Sequence, residues 1–509
     1  MAADAEFKSL FNGQATPRKQ VPLLPLGTFR RAVLEAVQHG QRVAAFFGHA
    51  PESGGRVELY AVLADKTNAH LNVASAWLDS DEFPSLTPDC PQVHLFEREI
   101  AEQFGVKPLG HPWLKPVRFH ESYRPGHDAW ARSPGHPVVG VMDYYQVESE
   151  EIHEVAVGPV HAGVIEPGHF RFQCHGEQVY HLEISLGYQH RGVEMALKGG
   201  PNKRTLPYME TLAGDTTIGH ASAYCQNVEA LTGVRPSLRA MAIRGIGLEL
   251  ERLANHTGDV GALANDVGYL PTASYCGRLR GDFLNATAAI CGNRFGRGLV
   301  KPGGVGFDIE EALASDLRPK IQAALKDVAG ATKLLWESSS VMARFQETGT
   351  LEQEDAKAIG LVGPAARACG LDPDVRQDFP FGIYRFNQVP VSICPSGDVF
   401  ARAYVRWLEI QRSGEFVLAQ LKALPAGGTM TLLKPLQPNM LAVSLVEGWR
   451  GEICHVALTD DQGKFARYKV VDPSFHNWYG LALALREQQI SDFPLCNKSF
   501  NLSYCGHDL

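Results

Sequence analysis

Ten cysteines are scattered through 509 residues, and no two of them stand within three positions of each other. That lack excludes an iron-sulfur cluster held by this chain alone and a disulfide framework, and it leaves free, mostly buried thiols as the expectation. Basic runs are missing too. No Lys/Arg stretch exceeds a pair such as Arg30-Arg31, and with a net charge of -8 and a pI near 6.2 no nucleic-acid footprint is expected. There is no Gly-rich nucleotide fingerprint, so the chain by itself is expected to bind neither NADH nor a cluster. No apolar run approaches the ~18 residues a membrane span needs. Met1 to Glu6 lack a basic and an apolar leader region, so a cytoplasmic location is expected. Internal repeats and low-complexity tracts are also absent.

What is present is an ordinary globular composition, 45% hydrophobic and 20% charged, on a length that suggests more than one domain. Residues 24–116 alternate helix and strand patterns. Thr28–Gly40 has helical spacing, Gln41–Ala50 and Arg56–Ala64 are strand-like, and Phe96–Phe104 reads as an amphipathic helix closed by Gly105. Pro125, Pro134 and Pro137 interrupt residues 117–150, where the domain boundary is placed. Strand patterns follow at Glu154–Val157, Phe170–Cys174 and Val179–Ile184. Helices are then expected from Pro236 to about His256, over Asp316–Ser338, and after Asp472-Pro473. Gly245 and Gly247 inside the first of these each cost about 1 kcal/mol relative to Ala. Close packing on a neighbouring helix is the expected compensation.

Several short words recur in a fixed order. The first set is Phe83-Pro84-Ser85-Leu86-Thr87, Glu97-Arg98-Glu99-Ile100, Phe104-Gly105 and Gly110-His111-Pro112. Composition alone reads Glu97 and Glu99 as a solvated helix face. The second set is Gly158-Pro159-Val160-His161, Glu166-Pro167-Gly168-His169-Phe170 and Gln189-His190-Arg191-Gly192-Val193-Glu194. Ile243-Arg244 and Glu249, Glu251, Arg252 and His256 follow on one helix, where the spacing of Glu249, Arg252 and His256 favours an ion-pair ladder. Asp374-Val375-Arg376, Arg450-Gly451-Glu452 and Asp492-Phe493-Pro494 complete the order. The first set resembles the 30-kilodalton subunit of respiratory complex I. The second resembles the large subunit of membrane-bound nickel-iron hydrogenases and the homologous 49-kilodalton subunit of complex I. Their fusion resembles formate-hydrogenlyase-type large subunits. The resemblance implies an α+β protein: an α/β docking domain over residues 1–130, then a mostly helical domain over 150–509 that opens with a small β-sheet.

The hydrogenase resemblance implies four thiolates in two Cys-x-x-Cys pairs, since nickel and iron there take soft sulfur donors. Aligned without gaps, the first pair falls on Ala213 and Thr216 and the second on Ser503 and Gly506, with Cys505 one residue out of place. Asp215, His220, Ser503, Cys505, His507 and Asp508 leave polar groups there. No ligand spacing among them marks a hard-metal site, so no metal is expected in this chain. The complex I homologue also lacks these cysteines and binds a quinone headgroup, but its quinone-binding tyrosine aligns with Gly214 and its second loop histidine with Ile165. His161 matches only the first. The catalytic candidates are therefore Glu166, which resembles a proton-relay glutamate, with Asp215 and His220. The cofactor-binding candidates are His161, Tyr208, Thr216 and Arg376. The six histidines from His153 to His190 otherwise read as ordinary residues.

These resemblances imply a subunit of a complex-I-related oxidoreductase on the inner face of the cell membrane, beside an iron-sulfur small subunit and membrane antiporter-like and anchor subunits. Two readings of its cavity remain open, a quinone-type electron exit and a redox-inactive scaffold. A hydrogenase with an atypical metal site is a third.

Overall fold

The computed structural model describes residues 6–51, 55–132, 135, 137–163 and 165–509; Pro134 of the interrupted stretch lies outside them. Strand-forming runs of Val, Ala, Phe and Leu build an antiparallel sheet at the N-terminal end, ordered Lys8–Leu10, His70–Trp77, Glu58–Asp65, Arg42–His49. Helix Leu26–Gln38 buries Phe29, Ala32, Val33 and Ala36 against it. Helix His94–Phe104 ends as expected at Gly105, whose left-handed φ of 65° suits a glycine C-cap. Strand His70–Trp77 was not anticipated.

Glu97 and Glu99 do not form a solvated face; both side chains are fully buried. Glu97 accepts hydrogen bonds from the Ser85 and Thr87 hydroxyls (2.5 and 2.6 Å) and from the Leu86 backbone N–H. Glu99 receives Lys469 Nζ at 2.6 and 2.7 Å and pairs with Arg118. Composition misled here because each carboxylate meets donors far away in sequence, and paired charges can be buried.

Residues 110–152 form no helix or strand among those described. The expected three-stranded sheet follows, ordered Gln178–Ser185, His169–His175, His153–Val157. Helix Leu238–Asp266 starts on the Ser237 cap and runs well beyond His256, packing on helices Leu270–Cys291 and Val399–Lys422. Helices Glu311–Trp336 and Pro473–Ala484 fall close to the expected spans.

A further sheet was not anticipated: Phe465–Val471, Gly451–Thr459, Met440–Gly448 and Gln14–Pro17. Its last strand comes from the N-terminal end, with Ala15 opposite Ala442. The two regions thus share a sheet as well as a chain. Gly245 does meet helix Val399–Lys422 through Phe416, but its closest neighbour is Ile383 on a short 3-10 turn, 2.6 Å from where a Cβ would stand. All ten cysteines are free, and only Cys394 and Cys505 are partly exposed. Among the described residues no helix is long and apolar enough to cross a membrane.

Candidate functional site

Ala213 to Thr216 lead into helix Thr217–Thr232. The first N–H groups of that helix have no intrahelical partner, and Glu251 on helix Leu238–Asp266 accepts from Ile218 N (2.7 Å) and Gly219 N (3.2 Å). Burial, with the nearby Asp215 charge, pushes the Glu251 carboxyl up to about 8. Asp215 itself keeps a third of its side chain exposed and takes a bidentate bond from Arg450, at 2.6 and 2.8 Å. Burial opposes ionisation, but the guanidinium prevails and holds the Asp215 carboxyl below its ordinary range. The Asp215 carbonyl accepts from the Trp449 indole and the Asn255 amide, each at 2.9 Å. Thr216 Oγ1 lies 3.3 Å from Arg450 Nη1, and the guanidinium stacks 3.9 Å above the Trp449 ring centroid.

Arg450 also reaches the other segment: its Nε donates to Asn501 O at 2.6 Å. Just beyond, Ser503 caps the last turn through Gly506 N at 2.9 Å. Gly506 presses on Asp472, which would stand 2.7 Å from an added Cβ. Glu166, just before Pro167-Gly168, accepts from Tyr504 N at 3.3 Å and faces the Cys505 thiol. Burial first, then the Glu166 charge, pushes that thiol up to about 12, so it stays protonated.

Asp472 opens a buried relay. Its Oδ2 lies 3.0 Å from His220 Nε2; His220 Nδ1 lies 3.1 Å from His455 Nε2; His455 Nδ1 lies 3.0 Å from the Tyr468 hydroxyl. Burial keeps His455 neutral. One tautomer set satisfies every link: Tyr468 donates to His455, His455 to His220, and His220 to Asp472. The arrangement therefore joins a fixed cation, a partly exposed carboxylate and a chain able to pass protons.

Asp215, Thr216 and His220 are thus gathered around Arg450 and Asp472, while Glu166 lies against the last helix at Tyr504 and Cys505. The other candidates are elsewhere. His161 Nε2 bonds Gly168 O at 2.8 Å and the ring packs near Phe170. Tyr208 packs on the apolar core. Arg376 is buried with its donors committed to Asp374 and Glu249, so it is not available to a ligand beside Asp215. His507 Nδ1 lies 2.9 Å from Asp508 Oδ1. Arg450 and Asp472 were in plain view as sequence words, but only as a family marker and a helix start. His455 and Tyr468 carried no signal, because they lie on strands whose pattern reads as plain core.

The four aligned positions, Ala213, Thr216, Ser503 and Gly506, offer no thiolate, and this donor set does not fit nickel or iron in a sulfur site. Among the described residues no three His, Cys, Asp or Glu side chains are grouped to hold a metal ion. Space beside Asp215 is small, a crevice of about 10 Å³ bounded by Glu251, Asn255 and Phe295.

Two family models match the chain: the 30 Kd subunit of respiratory-chain NADH dehydrogenase over residues 31–138 and the 49 Kd subunit over residues 266–439. Hydrogenase-4 component G of Escherichia coli (strain K12) is 27% identical, with 92% of this chain and 84% of that protein covered. An NADH-quinone oxidoreductase subunit of Dehalococcoides mccartyi (strain CBDB1) is 30% identical, covering 63% of this chain and 88% of the relative. The same fold occurs in the membrane-bound sulfane sulfur reductase, an archaeal respiratory membrane complex. There the TM-score is 0.67 at 21% identity, over 72% of this chain and all of the matched one.

Proposed function

Because this chain belongs to the family of the 49-kilodalton subunit of respiratory NADH dehydrogenase, with a 30-kilodalton-subunit domain fused before it, we propose that it forms the electron-exit cavity of a complex-I-related oxidoreductase. The cavity is completed by an iron-sulfur small subunit, and the acceptor is a quinone or a similar small molecule. The complex lies against the inner face of the cell membrane through antiporter-like and anchor subunits. The chain carries no nickel.

One observation carries this reading: Arg450 ties Asp215 and Thr216 to Asn501, bridging the two segments that would have borne the thiolates. The Arg450 charge, held in place by those bonds, acts through its field on a carbonyl acceptor beside it and stabilises the negative charge gained on reduction. Electrons come from the partner's cluster. Protons pass from His220 by way of Asp472, and His455 refills His220. Glu166 supplies a second carboxylate on the opposite segment.

The crevice beside Asp215, at about 10 Å³, holds no more than a water, so the ring-sized space must lie between the subunits. That smallness favours the competing reading, a scaffold without redox chemistry. Electron transfer to quinone in the assembled complex separates the two. His220→Ala should slow it by ~100-fold, and Asp215→Asn should slow it too. Wild-type rates in both variants would leave the scaffold reading standing. Stoichiometric nickel in the purified complex would sink the claim of a lost metal.

A further inference from the structure

A second cavity, of about 660 Å³, opens between the N-terminal region and the three-stranded sheet, well within the ~300–1,000 Å³ of small-molecule sites. Its wall carries Arg98, of which only 9% is exposed. Arg98 donates to two backbone carbonyls, Lys115 O and Pro116 O, both at 2.8 Å. It forms no ion pair among the described residues, and its Nη1 bonds no described protein atom. A buried cation with no directly paired carboxylate is costly; burial pushes Arg98 down to about 10, although the Glu183 and Glu102 charges act the other way. The guanidiniums buried inside the ion network each have an acid: Arg252 has Glu249, Arg367 has Glu409 and Arg376 has Asp374.

Flat rings stand along the same cavity. Trp113, Tyr145 and His181 lie with centroids 4.7–5.7 Å apart. His181 Nε2 is enclosed without a partner. His94 sits 4.9 Å from the Tyr479 ring. Burial holds His94, His111 and His181 neutral, so they present hydrogen-bonding edges without adding charge. Glu183, the carboxylate on this wall, is already held by Lys115 and by Tyr145 N. Arg486 adds a cation at the exposed rim.

We propose that this cavity binds a small planar aromatic anion, its charged group on Arg98 and its ring against the cluster of Trp113, Tyr145 and His181. The site is separate from the Asp215–Arg450 cavity and does not rest on the function proposed for it. Neutral imidazoles and aromatic faces suit a flat ring, and the unsatisfied guanidinium selects a carboxylate or comparable anion.

Calorimetric titration of the full-length chain with 2-naphthoate tests this, with uncharged 2-naphthol as the control. Naphthoate should bind one-to-one, and Arg98→Met should weaken it at least tenfold. Naphthol should bind more weakly and be indifferent to that substitution. Trp113→Leu leaves Arg98 intact and should also weaken naphthoate at least tenfold, which decides the matter if the arginine variant does not fold. Equal affinity for the two probes, no saturable binding, or naphthoate binding unchanged by Trp113→Leu would overturn the assignment.

Discussion

Arg252, Arg367 and Arg376 share one dry interior with Glu249, Asp374, Glu409 and Glu447. Carboxylates outnumber guanidiniums there, and the surplus settles on Glu447, whose carboxyl burial and then the Asp374 charge push up to about 7. Arg367 is the centre, bonding Glu409 at 2.5 Å, Glu447 at 2.9 Å and Pro373 O at 2.7 Å. Arg367→Met strands those acids, and urea denaturation should show a loss of about 3–5 kcal/mol. Glu447 gives a pH signature. Its proton leaves the unfolded chain near 4.5 and the folded chain near 7. Its contribution to stability is thus complete below about 4.5, falls as pH rises through 7 and then levels off. Glu447→Gln should flatten that part of a stability-versus-pH curve; an unchanged slope would show that another group titrates there. The ladder of Glu249, Arg252 and His256 was legible from spacing, but not its partners: His256 bonds Glu409, at 2.8 Å, rather than a neighbour on its own helix.

At the scale of elements, local chemistry was a guide to where some helices start. Asp472 and Ser237 cap their helices through Ser474 N and Ala240 N, as short polar side chains do when they accept from a free N–H. Length was harder to read. Helix Leu238–Asp266 outruns its expected end because Val260, Leu263 and Ala264 stay buried, the helix packing on Leu270–Cys291, Val399–Lys422 and Phe493–Phe500. Propensity favours Ala over Gly at Gly245, yet the added Cβ would lie 2.6 Å from Ile383 Cγ2. Crowding should outweigh propensity, so Gly245→Ala should destabilise by about 1–3 kcal/mol in thermal melts. A gain in stability would show that Ile383 gives way freely.

Over the whole molecule, the boundary drawn in the sequence is crossed several times in space. Strand Gln14–Pro17 completes a sheet with Met440–Gly448, and Lys469 reaches Glu99 across the same join. One apolar core runs from Leu10 through Leu63 to Val471. Far-ultraviolet dichroism and tryptophan fluorescence should therefore report a single, coincident unfolding transition. Two separated transitions would mean that the shared sheet does not couple the halves. By itself the sequence determined the order of the two regions, the starts of some helices and the absence of paired thiols, because those follow from local periodicity, capping and composition. Only the tertiary structure decided that Arg450 bridges the two segments aligned with the missing thiolates, that His220 continues through His455 to Tyr468, and that Arg98 is left without an ion pair. Each depends on strands and helices distant in the chain coming within hydrogen-bonding reach, and no local pattern encodes such meetings.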